Sequence, residues 1–395
     1  IIGNENSIMS KYIFKGIFPF LLLLIPNLVF AEKLTILHIN DHHSHLEANS
    51  RMGLDLDGES TRTKSGGFPA VVTKIKELRS ENPNSLTLHA GDATSGTLYF
   101  TLFEGEADAA LMNAVCFDAF VVGNHEFNNG DQGLVTFLDY LKEGNCQTPV
   151  LGANVQPEIG VSPLAKSSAD DYIQPYTIVE RNGEKIGIIG IVISRKTKMS
   201  SNPDDTTMFL DEVTTAQKYA DELKSQGVDQ VILLSHYGYE NDLALAQNTS
   251  GIDIIVGGDS HSLLGDLSDL GLKPSGSYPT MVNDASGNDV CVVTAWQYSQ
   301  ILGELHAEFD DKGNITSCIG TPHMMLADSF KRKNSDGERV EIEEGYRDAV
   351  YSVIKVNPSL SIVEPDADAQ ALLAGYSSKI DEFSSKIIGS VSEDL

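Results

Sequence analysis

Five apolar segments of the chain each run directly into side chains that can bind a metal ion. Each segment has the length and composition of a buried β-strand. The side chains at their ends offer carboxylate oxygen, imidazole nitrogen and amide oxygen, which suit hard or borderline divalent metals. These candidate ligands are Asp41, His43, Asp92, Asn124, His236, Asp259 and His261.

Seven candidate ligands are too many for one tetrahedral zinc site, but they suit two metal ions that share a bridging carboxylate. Sites with two ions about 3.5–4 Å apart hydrolyse phosphate esters, because they activate water and bind the phosphoryl oxygens. In an extended Asp41-x-His43 segment both side chains point to the same side, and the same holds for Asp259-x-His261. The pattern therefore predicts a dinuclear metal site.

The elements that must position these ligands alternate along the chain. Strands that lead into ligands are predicted at 34–39, 86–89, 119–122, 230–235 and 252–256. Apolar residues at helical spacing predict helices at 69–79, 106–115, 133–141, 212–225 and 240–246. Strands that alternate with helices indicate an α/β layered domain, and in such sheets ligands bind beyond the carboxyl ends of the strands.

Other segments complete this outline. A polar loop is expected from 42 to 66, and Asn182-Gly183 predicts a hairpin between strands 176–180 and 185–192. Further strands are predicted at 150–155, 290–295, 301–309 and 315–319. After residue 330 the composition changes: 331–344 is highly charged, 353–363 is irregular, and 366–386 is predicted to form one helix with an acidic first turn.

The charge balance limits the classes of ligand. The 395 residues include 56 acidic and 28 basic side chains, for a net charge of -28. A nucleic-acid polymer requires a basic surface and is therefore excluded as a partner. A small phosphate-bearing substrate is still compatible with this charge, provided that metal ions supply the positive charge at the site.

The N-terminal segment is typical of a secretory signal peptide. Met9 is a plausible start, Lys11 and Lys15 form a basic region, and the apolar run 17–25 leads to a cleavage site after Ala31. The alternative is a membrane anchor, but the apolar run is shorter than the roughly 20 residues that a span needs. We therefore expect a secreted, periplasmic protein with signal peptide 9–31 and no stable membrane insertion.

Four cysteines are present and none forms a CxxC pair, which argues against a zinc–thiolate site. In an oxidising compartment they could form up to two disulfides, and three full pairings are open. Cys291 and Cys318 lie in predicted strands that could be neighbours. Four buried free thiols are the alternative, and the sequence does not decide between them.

Several motifs together resemble the calcineurin-like metallophosphoesterase pattern. They are DHH at 41–43, GD at 91–92, GNHE at 123–126, His236 and GGDSH at 257–261. More narrowly, the segments ILHINDHHSH, SGGFPAV, GDATSGTLYFTLFEGEAD and GNHEFNNG resemble secreted bacterial 5′-nucleotidases, most closely the NAD nucleotidase branch. The resemblance runs from about residue 34 to residue 391.

The resemblance implies a role for each candidate ligand. One metal would be held by Asp41, His43, Asp92 and His261, and a second by Asp92, Asn124, His236 and Asp259, so that Asp92 bridges the two. The cofactors would be two divalent ions, with zinc, manganese, magnesium and cobalt as the options. His125 would lie near the phosphate and stabilise developing charge or assist the leaving group, while metal-activated water is the nucleophile.

The resemblance also implies a fold and a domain division. The fold would be an α/β, four-layer α/β/β/α metallophosphoesterase sandwich, followed by a linker helix and a truncated C-terminal domain. Residues 1–31 would be the signal peptide and upstream residues, 32–330 the catalytic domain, 331–386 the linker with its helix, and 387–395 the start of a C-terminal nucleotide-binding domain. In the family that last domain binds the nucleotide.

Two positions depart from the family pattern. The motif GNHE usually leads to an Asp that pairs with the catalytic His, but here the residue is Asn128. An Asn can orient an imidazole but cannot stabilise an imidazolium with a full charge. Asp259 stands where many members have His, and a carboxylate there favours manganese or magnesium relative to zinc.

The sequence thus predicts a periplasmic dinuclear phosphohydrolase that cleaves nucleotides, with NAD or 5′-mononucleotides as substrates. The first alternative is a 2′,3′-cyclic nucleotide phosphodiesterase with 3′-nucleotidase activity, which Asn128 motivates. The second is a metal-binding protein that binds nucleotide without catalysis. His42 and His45 are predicted to lie outside the ligand set, and His89 is expected to be packed within a strand.

Overall fold

The structure, a computed structural model, describes residues 32–386 together with the isolated residue Ile1. The predicted signal peptide 9–31 and the predicted domain start 387–395 lie outside the described residues. None of the helices in the described part of the chain has the length and apolar character that a membrane span requires.

Strands and helices alternate along the described chain, as the sequence predicts. The strands are β1 Glu32–Ile39, β2 Asn49–Leu56, β3 Glu59–Ser65, β4 Leu86–His89, β5 Ala119–Val121, β6 Val150–Leu151, β7 Val155–Pro157, β8 Tyr176–Arg181, β9 Glu184–Val192, β10 Thr207–Phe209, β11 Gln230–His236, β12 Ile254–Gly257, β13 Thr280–Asn283, β14 Asp289–Thr294, β15 Ile301–Phe309, β16 Ile315–Lys333, β17 Arg339–Glu341 and β18 Leu360–Ile362. The α-helices are α1 Phe68–Glu81, α2 Leu98–Phe103, α3 Glu106–Val115, α4 Gly130–Glu143, α5 Ser194–Ser200, α6 Glu212–Ser225, α7 Tyr239–Asn248, α8 Glu344–Val356 and α9 Ala367–Ser384.

Two large sheets form the centre of the fold. The first has the order β2-β3-β16-β15-β1-β4-β5-β6, with β17 and β18 paired to β16. The second has the order β13-β14-β12-β11-β9-β8. Pairing is parallel from β1 through β4 and β5 to β6, and it is also parallel among β9, β11, β12 and β14. Each sheet therefore has a parallel half whose carboxyl ends can meet.

Apolar side chains fill three layers around these sheets. Ile36 and Leu88 of the first sheet pack against Ile188 and Ile232 of the second, so the sheets face each other. Helices α1, α3, α4 and α9 cover the outer face of the first sheet. Helices α6 and α7 cover the outer face of the second. The α/β/β/α sandwich that the sequence predicts is confirmed.

The structure also corrects parts of the sequence-based outline. The expected polar loop 42–66 contains the hairpin β2–β3, and the alternating burial of Met52, Leu54 and Leu56 before Asp57-Gly58 is its signal. The segment expected to be irregular overlaps α8, which buries Val350 and Ile354 on one face. The predicted strand 315–319 continues to Lys333 as part of β16, since it pairs successively with β15, β18, β3 and β17.

All four cysteines are paired in two disulfides. Cys116 and Cys146 join the segments that follow α3 and α4, with their Cα atoms 5.3 Å apart. Cys291 of β14 and Cys318 of β16 are joined with their Cα atoms 6.5 Å apart. The second disulfide links one large sheet to the other, as the strand positions of these two cysteines allow.

The Cys116–Cys146 disulfide closes a loop of 30 residues, which sets its expected contribution to stability. Replacing both residues with Ala should lower the free energy of unfolding by about 3–4 kcal/mol, because the unfolded chain regains the entropy of that loop. Urea unfolding at equilibrium measures the difference. A reductant should destabilise the wild type more than the double variant, and equal stabilities of oxidised wild type and variant would refute the estimate.

Candidate metal centre

The seven predicted ligands meet where the parallel halves of the two sheets end. Asp41 and His43 follow β1, Asp92 follows β4, and Asn124 follows β5 in the first sheet. His236 ends β11, while Asp259 and His261 follow β12 in the second sheet. Because parallel strands direct their carboxyl ends to one edge, residues from five stretches of sequence come together.

Asp41, His43 and His261 form the first cluster of ligand atoms. The Nε2 atoms of His43 and His261 lie 3.7 and 3.4 Å from Asp41 Oδ1. The two imidazole Nε2 atoms are 3.1 Å apart. These atoms all lie within 4.8 Å of one another, which is close enough for a single metal ion to contact all three.

His236 and Asp92 form a second cluster beside the first. His236 Nε2 lies 3.0 Å from Asp92 Oδ2 and 3.8 Å from Asp259 Oδ1. The other ring nitrogen, Nδ1, is 2.7 Å from the carbonyl oxygen of Ala90, which directs Nε2 into the site. Asp92 Oδ2 is also 3.6 Å from His43 Nε2, so Asp92 lies between the two clusters.

Electrostatics in the two clusters favour ionised carboxylates. Burial acts to raise the pKa of Asp41, but the adjacent imidazoles of His261 and His43 hold it well below its usual range. Burial acts to raise the pKa of Asp92 as well, but the charge of the nearby His236 outweighs it and the pKa falls to about 2. The carboxylates are therefore in the form that binds a metal ion at neutral pH.

The backbone at the ligands is the main difference from the sequence-based expectation. Asp41 and His43 are not extended: both have φ of 48° and lie in the left-handed region, as do Asp92, Asp259 and His261. Such conformations are uncommon for residues other than Gly and cost about 1–3 kcal/mol each. Hydrogen bonds hold them, including His43 N–H to the carbonyl oxygen of Asp92 at 3.1 Å.

Asn124 gives a direct test of whether the residues fit a metal. Its side chain is fully buried, and neither Oδ1 nor Nδ2 has a hydrogen-bond partner. His236 Nε2 is likewise buried without a hydrogen-bond partner. Buried polar atoms are rarely left unsatisfied, so these unpaired atoms, on strand ends next to those that carry the carboxylates, fit a divalent cation.

Close backbone approach at the site requires glycine at two positions. A Cβ on Gly123 would lie 2.2 Å from Asp92 Oδ1, and a Cβ on Gly258 would lie 2.4 Å from the carbonyl oxygen of Ala90. Any other residue would therefore displace a ligand or the strand end that carries it.

His125, the predicted catalytic residue, lies beside the clusters and is partly buried. Its backbone N–H donates to Asp92 Oδ1 at 2.8 Å, and its ring atoms lie within 4.8 Å of ligand atoms of His43 and Asp92. Asn128 Nδ2 is 2.9 Å from His125 Nδ1, which fixes the orientation of the imidazole. Burial lowers the pKa of His125.

Glu126 is a buried residue of the GNHE motif to which the sequence assigns no role. Its carboxylate accepts backbone N–H bonds from Asp92, Ala93, Thr94 and Gly123 at 2.6–3.1 Å. Burial and the nearby charge of Asp92 raise the pKa of Glu126 to about 7. The signal for this role was its position two residues after Asn124, where it can reach back to the loop that carries Asp92.

Lys196 is a second residue that sequence patterns did not identify. It belongs to α5, and its Nζ donates to Asp259 Oδ1 at 2.5 Å. The ammonium thus places a positive charge directly beside a candidate ligand. No spacing or motif indicates this contact, because α5 reaches the site only through the packing of the second sheet.

Two histidines that were not predicted as ligands, His42 and His89, form a buried network behind the first cluster. His42 Nδ1 is 2.8 Å from His89 Nε2, and His42 Nε2 is 3.1 Å from Asp108 Oδ1. Ser44 Oγ donates to the other oxygen of Asp108 at 3.0 Å. Burial lowers the pKa of His42 to about 3 and raises that of Asp108 to about 8, so both are neutral at pH 7. The network anchors the loop that carries Asp41 and His43.

The fold and the ligand geometry agree with comparisons to known proteins. A model of the calcineurin-like phosphoesterase family matches residues 34–263, and the chain belongs to this family. It is 43% identical over 360 residues to a probable 5′-nucleotidase of Treponema pallidum and 41% identical over 362 residues to the NAD 5′-nucleotidase of Haemophilus influenzae. These alignments cover 90% and 91% of this chain.

Solved structures give the same result. The structure of the Haemophilus influenzae NAD nucleotidase matches with a TM-score of 0.85 at 41% identity, over 91% of this chain and 70% of that one. A 5′-nucleotidase precursor from Thermus thermophilus matches with a TM-score of 0.73 at 33% identity, over 91% of this chain and 61% of that one. The chain spans 59% and 58% of the lengths of the two curated relatives.

The hydrogen bonds of Glu126 lead to a test of its positioning role. Glu126→Gln puts an amide NH2 against backbone N–H groups, so the loop that carries Asp92 should shift. We expect metal affinity to fall by about 10- to 100-fold. Bound metal is measured by mass spectrometry of the dialysed protein. The exposed Glu143→Gln is the matched control, and an unchanged metal content in Glu126→Gln would contradict the role.

Proposed function

We propose that the protein is a dinuclear-metal phosphohydrolase that cleaves nucleotides, of the 5′-nucleotidase or NAD nucleotidase type. The main support is the convergence of seven candidate ligands at one edge of two sheets, with the side chain of Asn124 buried and unpaired among them. One ion would be held by Asp41, His43, Asp92 and His261, and the other by Asp92, Asn124, His236 and Asp259.

The chain's own residues would divide the work around the reacting phosphate. Divalent ions supply water activation and charge neutralisation when bound. Asn128 orients the imidazole of His125, which would donate to the leaving-group oxygen or stabilise charge that develops on it. Lys196 offsets the charge of Asp259, so that an anionic substrate meets less repulsion.

The substrate class and the location belong to the same proposal. The names of the relatives from Treponema and Haemophilus support nucleotides as substrates, with NAD and 5′-mononucleotides as the first candidates. We propose export to the periplasm by signal peptide 9–31, and a catalytic domain at 32–330 followed by a linker at 331–386. A C-terminal domain that begins near residue 387 would complete the nucleotide site.

A substrate panel tests this function. The product of the whole gene, loaded with manganese or zinc, should release AMP and nicotinamide mononucleotide from NAD, or phosphate from AMP. EDTA should reduce the rate to background, and added metal should restore it, since the proposed hydrolysis depends on water activated by the metal ions. The variant Asp92→Asn, which alters the ligand proposed for both ions, should lose activity. No turnover of any nucleotide with metal bound would indicate a non-catalytic binding protein.

Asn128 supports a second candidate, a 2′,3′-cyclic nucleotide phosphodiesterase with 3′-nucleotidase activity. The variant Asn128→Asp tests it, because a carboxylate at this position would stabilise a protonated His125. We expect kcat for AMP to rise by about tenfold, which corresponds to about 1.4 kcal/mol. Initial rates on AMP and on 2′,3′-cyclic AMP measure the effect. A wild type that prefers the cyclic substrate, and loses that preference in Asn128→Asp, would favour the second candidate.

A further inference from the structure

A strained loop lies directly beside the candidate metal centre. It follows β14, and Trp296, Tyr298 and Ser299 have φ of 61°, 56° and 56°, in the left-handed region that favours glycine. Aromatic residues tolerate this region poorly, so surrounding contacts must hold the loop in place. Such strain concentrates where a side chain must be presented in one orientation.

The contacts that hold this loop come from the segment that carries the first two ligands. The backbone N–H of Tyr298 donates to the carbonyl oxygen of Asp41 at 2.8 Å. Asn40 Nδ2 donates to the carbonyl oxygen of Trp296 at 2.7 Å, and Ser299 Oγ donates to the carbonyl oxygen of His45 at 3.1 Å. The position of Tyr298 is therefore tied to the position of the ligands.

The ring of Tyr298 stacks on His45 and borders the ligands. The centroids of these two rings are 3.9 Å apart with an angle of 26° between their planes. The ring of His261 meets Tyr298 edge-on at 5.4 Å. Both Tyr298 and His45 are only partly buried and line an adjoining cavity, so the stack, here called the aromatic platform, is accessible from that cavity.

A cavity of about 520 Å³ adjoins the aromatic platform. This is within the size range of small-molecule sites. Its described lining includes the carboxylates of Glu47 and Asp381 but no Lys or Arg. The Glu47 side chain is exposed, but its Oε1 accepts a hydrogen bond from Tyr99 Oη at 2.7 Å, which fixes the position of the carboxylate. An acidic, aromatic-lined cavity suits a cationic aromatic ring.

We propose that the aromatic platform and its acidic cavity bind the cationic pyridine ring of a dinucleotide whose pyrophosphate lies at the metal centre. This rests on the proposed function and adds a specificity-determining site to it. AMP has no pyridine ring to place there, and ADP-ribose has the same pyrophosphate without the ring. The platform would therefore raise turnover of NAD relative to both.

Replacing Tyr298 tests the proposal by comparing substrates rather than total activity. With the product of the whole gene, Tyr298→Ala should lower kcat/KM for NAD by about tenfold, mainly through KM, and should change kcat/KM for AMP and ADP-ribose by less than about threefold. Tyr298→Phe should retain the preference for NAD. Tyr346→Ala, at an exposed tyrosine on α8, is the matched control. Equal losses on all three substrates would overturn the proposal.

The charge of the ring is tested separately. Glu47→Gln should lower kcat/KM for NAD by about threefold and leave that for NADH, whose nicotinamide ring is uncharged, unchanged. Equal effects on both would overturn the assignment of a cationic ligand.

A direct binding measurement tests the aromatic platform separately from the proposed hydrolytic function. Nicotinamide mononucleotide titrated into the metal-loaded protein by calorimetry should bind about tenfold more weakly to Tyr298→Ala than to wild type, whether or not the wild type hydrolyses NAD. Unchanged binding of this probe would overturn the platform. Absent hydrolysis with intact Tyr298-dependent binding would overturn only the proposed function.

Discussion

Three carboxylates, those of Asp41, Asp92 and Asp259, lie within 4.0 Å of one buried imidazole nitrogen, the Nε2 of His236. Bringing negative groups together in a region of low dielectric is unfavourable unless positive charge compensates for them. The protein supplies part of that charge through its imidazoles and Lys196, and the buried Asn124 side chain, which has no hydrogen-bond partner, is a further candidate ligand for a divalent ion. The architecture around the site serves to maintain this crowded arrangement. Parallel strands from two facing sheets end at one edge, left-handed residues turn the ligands inward, and glycines let the backbones approach.

The part of the site that could be predicted from sequence is the part that strand ends encode. An apolar run followed by Asp, Asn or His is visible in one dimension, and parallel topology then brings those ends together. The left-handed conformations of Asp41 and His43 could not be predicted, since neither residue type requires them and only the surrounding hydrogen bonds make them tolerable. The sequence analysis therefore predicted correctly that Asp41 and His43 lie close together, but it assumed an extended backbone that these residues do not have.

Residues that reach the site only through tertiary packing could not be identified from the sequence. Lys196 comes from a short helix with no motif, and Tyr298 comes from a loop whose strain has no compositional signature. The same limit applies to the fold. The alternation of strands and helices predicted a layered α/β domain, and the family resemblance implied its four layers. Strand β16, in contrast, extends far beyond its predicted end, because it pairs with strands from distant segments. Local pattern identifies elements, and only the assembled sheets determine where they stop.

Because the disulfide between Cys291 and Cys318 forms only under oxidising conditions, the redox state of the surroundings affects the geometry of the site. It joins β14 to β16, and these strands belong to the two sheets that each contribute candidate ligands. Sliding of one sheet over the other would change the distances between Asp41 and His261 or between Asp92 and His236, and a covalent bond between the sheets restricts that sliding. Oxidation of a cysteine pair remote in sequence from the ligands thus helps to keep the ligands of one sheet aligned with those of the other.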